Sequence, residues 1–171
     1  MIKIIPNFVS TSECAELSSW IINNHYNFVD ANMGGNRKTT RYINDDIEFP
    51  QTALEIRERL KNYLDLEDMV RPPFTKGMVA SYAEPGDTCY EHIDPVWYEG
   101  YHTMHCNVIV QKPESGGNVV IENQEFDMPN GDIICYYVSD LKHSVTKVLG
   151  NKNRLMWIFG FCVEKNQNEK Y

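Results

Sequence analysis

Apolar residues early in the chain recur at helical spacing, whereas from about residue 77 onward they recur at every second position. Ser10-Thr11-Ser12-Glu13 forms a capping box, with a hydroxyl acceptor first and a carboxylate three residues later. Cys14, Leu17 and Ile21 follow on one face, so the spacing predicts a helix ending at Asn23 or Asn24, after an extended entry over 2–9. Its partly polar outer face predicts packing against one side of a larger body. Pro50 precedes a second helical pattern with Ala53, Ile56, Leu60 and Tyr63 or Leu64 on one face, and Pro72-Pro73 closes it. Between these helices, 30–44 is glycine-rich, basic and poor in apolar residues, with Met33-Gly34-Gly35-Asn36 at its tip; it reads as a mobile loop.

The period-two region predicts strands over 77–83, 90–94, 103–111, 118–122, 132–138, 141–148 and 154–163. Turn clusters join them: Glu84-Pro85-Gly86-Asp87, Lys112-Pro113-Glu114-Ser115-Gly116-Gly117, Pro129-Asn130-Gly131 and Leu149-Gly150-Asn151. Many short strands after an initial helical layer predict a mainly β protein with N-terminal helices (α+β), its strands closed or stacked as two sheets. The expected organisation is one domain: helical support over 1–75, a β core over 76–163 and a polar tail over 164–171.

Composition narrows the function classes. A length of 171 residues is enough for a real core, and a hydrophobic content of 42% is ordinary for a globular protein. The net charge of −8 disfavours a general nucleic-acid binder, which would carry a basic footprint. The one basic cluster, Arg37-Lys38-Thr39-Thr40-Arg41, reads either as a solvated loop or as a substrate lid. No apolar run is long enough for a membrane span, and the N-terminus lacks the long apolar core of a signal peptide. Cys14, Cys89, Cys106, Cys135 and Cys162 are odd in number and scattered, which fits reduced thiols in a cytoplasmic compartment.

Candidate chemistry begins at Tyr90-Glu91-His92-Ile93-Asp94-Pro95. On a strand His92 and Asp94 point to one face and present an imidazole beside a carboxylate. His143, in a later strand pattern, supplies a third ligand. Two histidines and one carboxylate on one side of a metal leave the other side open, the pattern of non-haem Fe(II) oxygenases. His105 is a rival ligand, but its separation from Asp94 is short. Eleven positions after His143, Arg154 opens an apolar strand, where a guanidinium needs an anionic partner.

The ordered set His92-x-Asp94, His143 and Arg154 resembles the Fe(II)/2-oxoglutarate-dependent dioxygenases, specifically the prolyl 4-hydroxylase-like branch. The likeness covers most of the chain. Pro6-Asn7-Phe8-Val9-Ser10 with Glu13-Cys14 resembles the family's entry to its first helix, and Tyr82-x-x-Pro85-Gly86 the lead into its metal strand. Ser115-Gly116-Gly117 resembles its mid-barrel turn, and Pro129-x-Gly131-Asp132 the strand before its distal histidine. The resemblance implies a double-stranded β-helix (jelly-roll, cupin-like) core with helices packed on one sheet. It implies that His92, Asp94 and His143 hold Fe(II), and that Arg154 pairs with the distal carboxylate of 2-oxoglutarate. Dioxygen is the other co-substrate, ascorbate a supporting reductant, and succinate and carbon dioxide the co-products.

Two positions depart from the family pattern. The strand after the metal motif carries no tyrosine or threonine hydroxyl for 2-oxoglutarate at the expected place, leaving Asn107 or Tyr82 as substitutes. Two residues after the arginine stands Met156, where relatives often carry a small or hydroxylated side chain. The expected substrate is a prolyl residue in a peptide or protein, with a free amino acid or small metabolite as the alternative. A non-catalytic jelly-roll binding module is the reading from a different class. A metal-dependent isomerase or hydrolase is a third, and it leaves Arg154 without a reason. Trp97, Tyr98 and Tyr101 either line a substrate mouth or cover the barrel rim, and His25 and His102 read as helix-end and loop residues. Oligomeric state is not written in these patterns.

Overall fold

The computed structural model describes residues 1–40, 47–66, 70–73 and 75–165. Arg41 of the basic cluster, the end of the 30–44 loop and the tail beyond Lys165 lie outside them. The capping box forms as the sequence predicts: Ser10 Oγ accepts from the Glu13 amide at 3.3 Å, and Glu13 Oε2 accepts from the Ser10 amide at 2.8 Å. Helix α1 runs Thr11–Asn24 from this cap, and α2 runs Gln51–Tyr63. Leu17, Ile21, Ile56 and Leu60 on their inner faces are wholly buried.

Strand β1 (Ile2–Ile5) precedes α1, and β2 (Val29–Asp30) and β3 (Lys38–Thr39) lie between the helices. After α2 come β4 (Met78–Ala83), β5 (Cys89–His92), β6 (Tyr101–Gln111), β7 (Ser115–Gly116) and β8 (Val119–Ile121). The chain finishes with β9 (Gln124–Phe126), β10 (Ile133–Tyr137), β11 (His143–Val145), β12 (Val148–Leu149) and β13 (Arg154–Glu164). The larger sheet is ordered β1-β10-β6-β13-β4-β3-β2, the smaller one β5-β11-β8-β9, and β12 pairs with β7. All these pairings are antiparallel. The two sheets face each other as a double-stranded β-helix, with both helices on the outer face of the larger sheet.

Strand alternation sorts the residues of the larger sheet. Leu155, Trp157, Phe159 and Phe161 of β13, with Met78, Ala80 and Tyr82 of β4, point outward into the helix-covered core. Val79, Met156 and Ile158 point inward, toward the smaller sheet. A second inner cluster joins Ile109, Ile134, Tyr136 and Val138 to Val119 and Ile121 across the inter-sheet space.

Several local expectations need correction. Within the described part of the expected 30–44 loop, residues 30–40, β2 and β3 make a hairpin that extends the larger sheet beside β4. Asp87 pins its tip, with Oδ1 accepting from the Asn36 amide at 2.7 Å, and the Tyr90 amide donates to Met33 O. A side chain at Gly35 would strike Asp87 Oδ1 at 2.5 Å. The pattern expected over 141–148 splits into β11 and β12, and a short polar strand, β9, follows a turn with Glu122 and Asn123 at φ of 48° and 66°. His102 sits in β6 instead of a loop, with Nδ1 2.6 Å from Asp140 Oδ2. All five cysteines are buried and unpaired, and no helix among the described residues is long and apolar enough to cross a membrane.

Candidate metal centre

Strand pairing decides where the two histidines meet. His92 closes β5 and stands directly opposite His143 of β11, which places their rings 4.2 Å apart, centroid to centroid. Asp94 lies two residues past the end of β5, where its amide donates to Val138 O at 2.8 Å. His92 Nε2 then faces Asp94 Oδ1 at 3.5 Å. One ligand atom from each of His92, Asp94 and His143 lies within 4.8 Å of the others.

The other edge of each imidazole faces the backbone. His92 Nδ1 lies 2.7 Å from Tyr90 O, and His143 Nδ1 lies 3.0 Å from Leu141 O. A proton on Nδ1 completes both hydrogen bonds and leaves each Nε2 lone pair for a metal. Burial disfavours a charged His92, but hydrogen bonding to Asp94, Cys89 and the Tyr90 carbonyl outweighs it and holds the ring up to about 10. Metal uptake must therefore displace a proton there. Two neutral imidazoles and a carboxylate, with no thiolate in the set, suit Fe(II).

The triad opens onto a cavity between the sheets, walled by Val79, Ser81, Met156 and Ile158 of the larger sheet and entered by Arg37 and Met33 from the hairpin. Arg154 faces the same inter-sheet side as Met156 and Ile158 but is 1% exposed and does not line the open cavity. Its Nη2 lies 3.1 Å from Met156 Sδ, and its buried Nε has no hydrogen-bond partner. No carboxylate among the described residues pairs with it; burial first, and then the neighbouring Arg37 charge, pull its guanidinium down to about 10. Gly117 makes room for this side chain, since a Cβ there would sit 2.8 Å from Arg154 Cδ at a φ of +66°. A buried cation with an orphaned donor fits an anionic ligand such as the distal carboxylate of 2-oxoglutarate.

The two substitute ligands part company. Asn107 lines the cavity, with Nδ2 donating to the Tyr136 hydroxyl at 3.2 Å and Oδ1 left unpartnered. Tyr82 is a correction: it lies on the opposite face of the larger sheet, stacked on His25 at 4.4 Å, and its hydroxyl accepts from Asn153 Nδ2 at 2.7 Å. The reason is parity, because the cavity-facing residues of β4 are Val79 and Ser81 and a neighbour one position on points away. His105 stands behind the carboxylate, with Nε2 3.7 Å from Asp94 Oδ2 and outside the triad. Trp97, Tyr98 and Tyr101 do not line the cavity; Tyr98 packs edge-on against Tyr101.

Two cavity residues escape the sequence reading. Tyr136 brings a phenol into the pocket, edge-on to the His143 ring at 5.3 Å, and burial pushes its ionisation well up, so it stays protonated. Its signal was available, since Ile134, Tyr136 and Val138 alternate with Ile133, Cys135 and Tyr137. Arg37 had only its place in the basic cluster, which does not say where it points.

No family model and no curated protein matches the chain. Solved structures do. The viral collagen prolyl hydroxylase of Paramecium Bursaria Chlorella virus-1, in its 2-oxoglutarate complex, superposes with a TM-score of 0.71 at 13% identity, over 96% of each chain. A Trichoplax adhaerens prolyl hydroxylase, in complex with a hypoxia inducible factor oxygen degradation domain peptide, gives 0.69 at 16% identity over 98% of this chain and 86% of that one. HygX from Streptomyces hygroscopicus, with nickel and 2-oxoglutarate bound, gives 0.67 at 12% identity over 94% of this chain and 82% of that one.

Proposed function

Starting from a chain with the fold of the prolyl 4-hydroxylase-like Fe/2-oxoglutarate oxygenases, we propose that it is an Fe(II)- and 2-oxoglutarate-dependent hydroxylase. The observation that carries the reading is the pairing of two features on the inter-sheet side of the strands. One is the His92, Asp94, His143 triad, and the other is the fully buried Arg154, with its orphaned Nε. A structural zinc site would leave the guanidinium unexplained, and so would an isomerase or hydrolase.

His92 and His143 hold the metal through Nε2 and Asp94 holds it through Oδ1, while the Tyr90 and Leu141 carbonyls fix both rings. Arg154 orients 2-oxoglutarate by its distal carboxylate, and the Tyr136 hydroxyl, which accepts from Asn107 Nδ2, keeps its own proton to donate nearby. Val79, Met156 and Ile158 give this space an apolar wall. Iron and 2-oxoglutarate together would supply the oxidation of a C–H bond by dioxygen: the co-substrate loses carbon dioxide to become succinate, with one oxygen atom entering succinate and the other the hydroxylated substrate.

The first substrate is a prolyl residue in a peptide or protein, a choice supported by the peptide held by the Trichoplax neighbour. A free amino acid or small metabolite is the next class. The test incubates the protein with Fe(II), ascorbate, dioxygen and 2-oxoglutarate, with and without prolyl peptides, and measures succinate. Succinate should form, and His143→Ala should lower its rate by a hundredfold or more along with Fe(II) binding. Absence of both Fe(II) binding and succinate in the unmodified protein would sink the proposal.

A further inference from the structure

Arg154 is not the only cation on the inter-sheet side. In the pairing of β13 with β4, Arg154 stands opposite Ala83. On the other side of β4, Lys38 of β3 pairs with Tyr82, so the preceding Arg37 comes beside Ala83 as well. The two arginines thus flank one small residue in a single row across the sheet. Both face the inter-sheet space, and Arg37 is the only Lys or Arg lining the cavity among the described residues. Each has a buried Nε without a hydrogen-bond partner. Two guanidiniums brought together in this way repel each other unless an anion lies between them.

The sequence also says why one arginine is not enough. Two residues past Arg154 the chain places Met156, which lines the cavity and meets one edge of the Arg154 guanidinium through its sulfur. A thioether donates no hydrogen bond, so Met156 adds no donor for an anion beside Arg154. The hairpin that carries Arg37 is fixed by Asp87 and by its ladder to β4, so its position is part of the built structure.

We infer that Arg37 and Arg154 form a two-guanidinium cradle above Ala83 for one carboxylate, the distal carboxylate of 2-oxoglutarate. This rests on the function proposed above and adds a residue to it. Arg154 grips from the closed side and Arg37 from the hairpin side, so the basic cluster of the sequence contributes an anchor for the co-substrate instead of a lid.

The test compares 2-oxoglutarate with pyruvate, which keeps the 2-oxo acid end and lacks the distal carboxylate. Binding of each is measured by calorimetry in the Mn(II)-loaded protein under nitrogen, for the unmodified chain and for Arg37→Gln, Arg37→Lys and Arg154→Gln. Arg37→Gln should weaken 2-oxoglutarate about tenfold or more, the worth of a charge-assisted hydrogen bond, and leave pyruvate unchanged. Arg37→Lys should recover part of the loss. Unchanged 2-oxoglutarate binding in Arg37→Gln, with Arg154→Gln still impaired, overturns the cradle and leaves the parent function standing. Equal weakening of both acids also overturns it, because Arg37 would then act through the metal end or the hairpin's fold. If the unmodified chain binds 2-oxoglutarate no better than pyruvate, the parent reading fails and the cradle with it.

Discussion

The two faces of the larger sheet are built from the same strands and have opposite characters. Along β13 the outward residues are Leu155, Trp157, Phe159 and Phe161, all wholly buried under the helices. The inward ones begin with Arg154, which has no anionic partner among the described residues, and continue with Met156 and Ile158 around a cavity. The outward face is packed against α1 and α2 and answers to the hydrophobic effect. The inward face gathers Arg154, Asn107, His105 and Tyr136, groups that cost stability when buried unless something pairs with them. One face is packed throughout against the helices, and the other encloses a cavity beside a smaller apolar cluster.

That contrast can be broken at its strongest point first. Trp157→Ala on the outward face should cost about 3–5 kcal/mol of stability in a urea melt, since it removes a fully buried aromatic from a close-packed layer. The part that remains folded should bind 2-oxoglutarate as before. A loss of less than about 1 kcal/mol would mean the outward face is not the structural one.

Arg154→Leu on the inward face should do the reverse. It removes a buried, unpaired cation, so the ligand-free protein should hold its stability or gain about 1–4 kcal/mol. The rise in melting temperature that 2-oxoglutarate gives the metal-loaded protein should vanish. A clear drop in the stability of the ligand-free variant would show that Arg154 has a structural partner after all.

The smallest effect lies on the helical layer. Arg59 hydrogen-bonds Glu13 at 2.8 Å, and that contact is the largest influence holding the carboxyl down to about 2, with burial opposing and the Ser10 cap assisting. A carboxyl lowered in the folded state stabilises the protein above its ordinary value of 4.5, and this contribution fades as pH falls toward 2. Glu13→Gln should therefore cost about 1 kcal/mol at neutral pH and close to nothing near pH 2, read from urea melts at both. Binding of 2-oxoglutarate at neutral pH should not move. A cost independent of pH would locate the role of Glu13 in its shape and not its charge.

Much of this division is legible in the chain. The capping box forms between Ser10 and Glu13, and the change of period from helical to alternating falls where β4 begins. Alternation also assigns most residues to the right face, because each needs only its neighbours two positions away. Tyr82 was misplaced for the same reason: a hydroxyl near the motif looked available, yet its parity sends it to His25 and the helices. Strand β9 was missed because Gln124 to Phe126 is short and polar, and its turn shows itself only in the left-handed backbone of Glu122 and Asn123.

The sequence alone determined the residue types of the candidate centre, His92, Asp94, His143 and Arg154, and the mainly β architecture that holds them. It did so because ligand chemistry and strand period are local properties of side chains. The tertiary structure decided the rest. Register placed His143 opposite His92 and set Arg37 and Arg154 on the two sides of Ala83. Such pairings join residues dozens of positions apart through backbone hydrogen bonds that any side chain can make, so no pattern along the chain announces them.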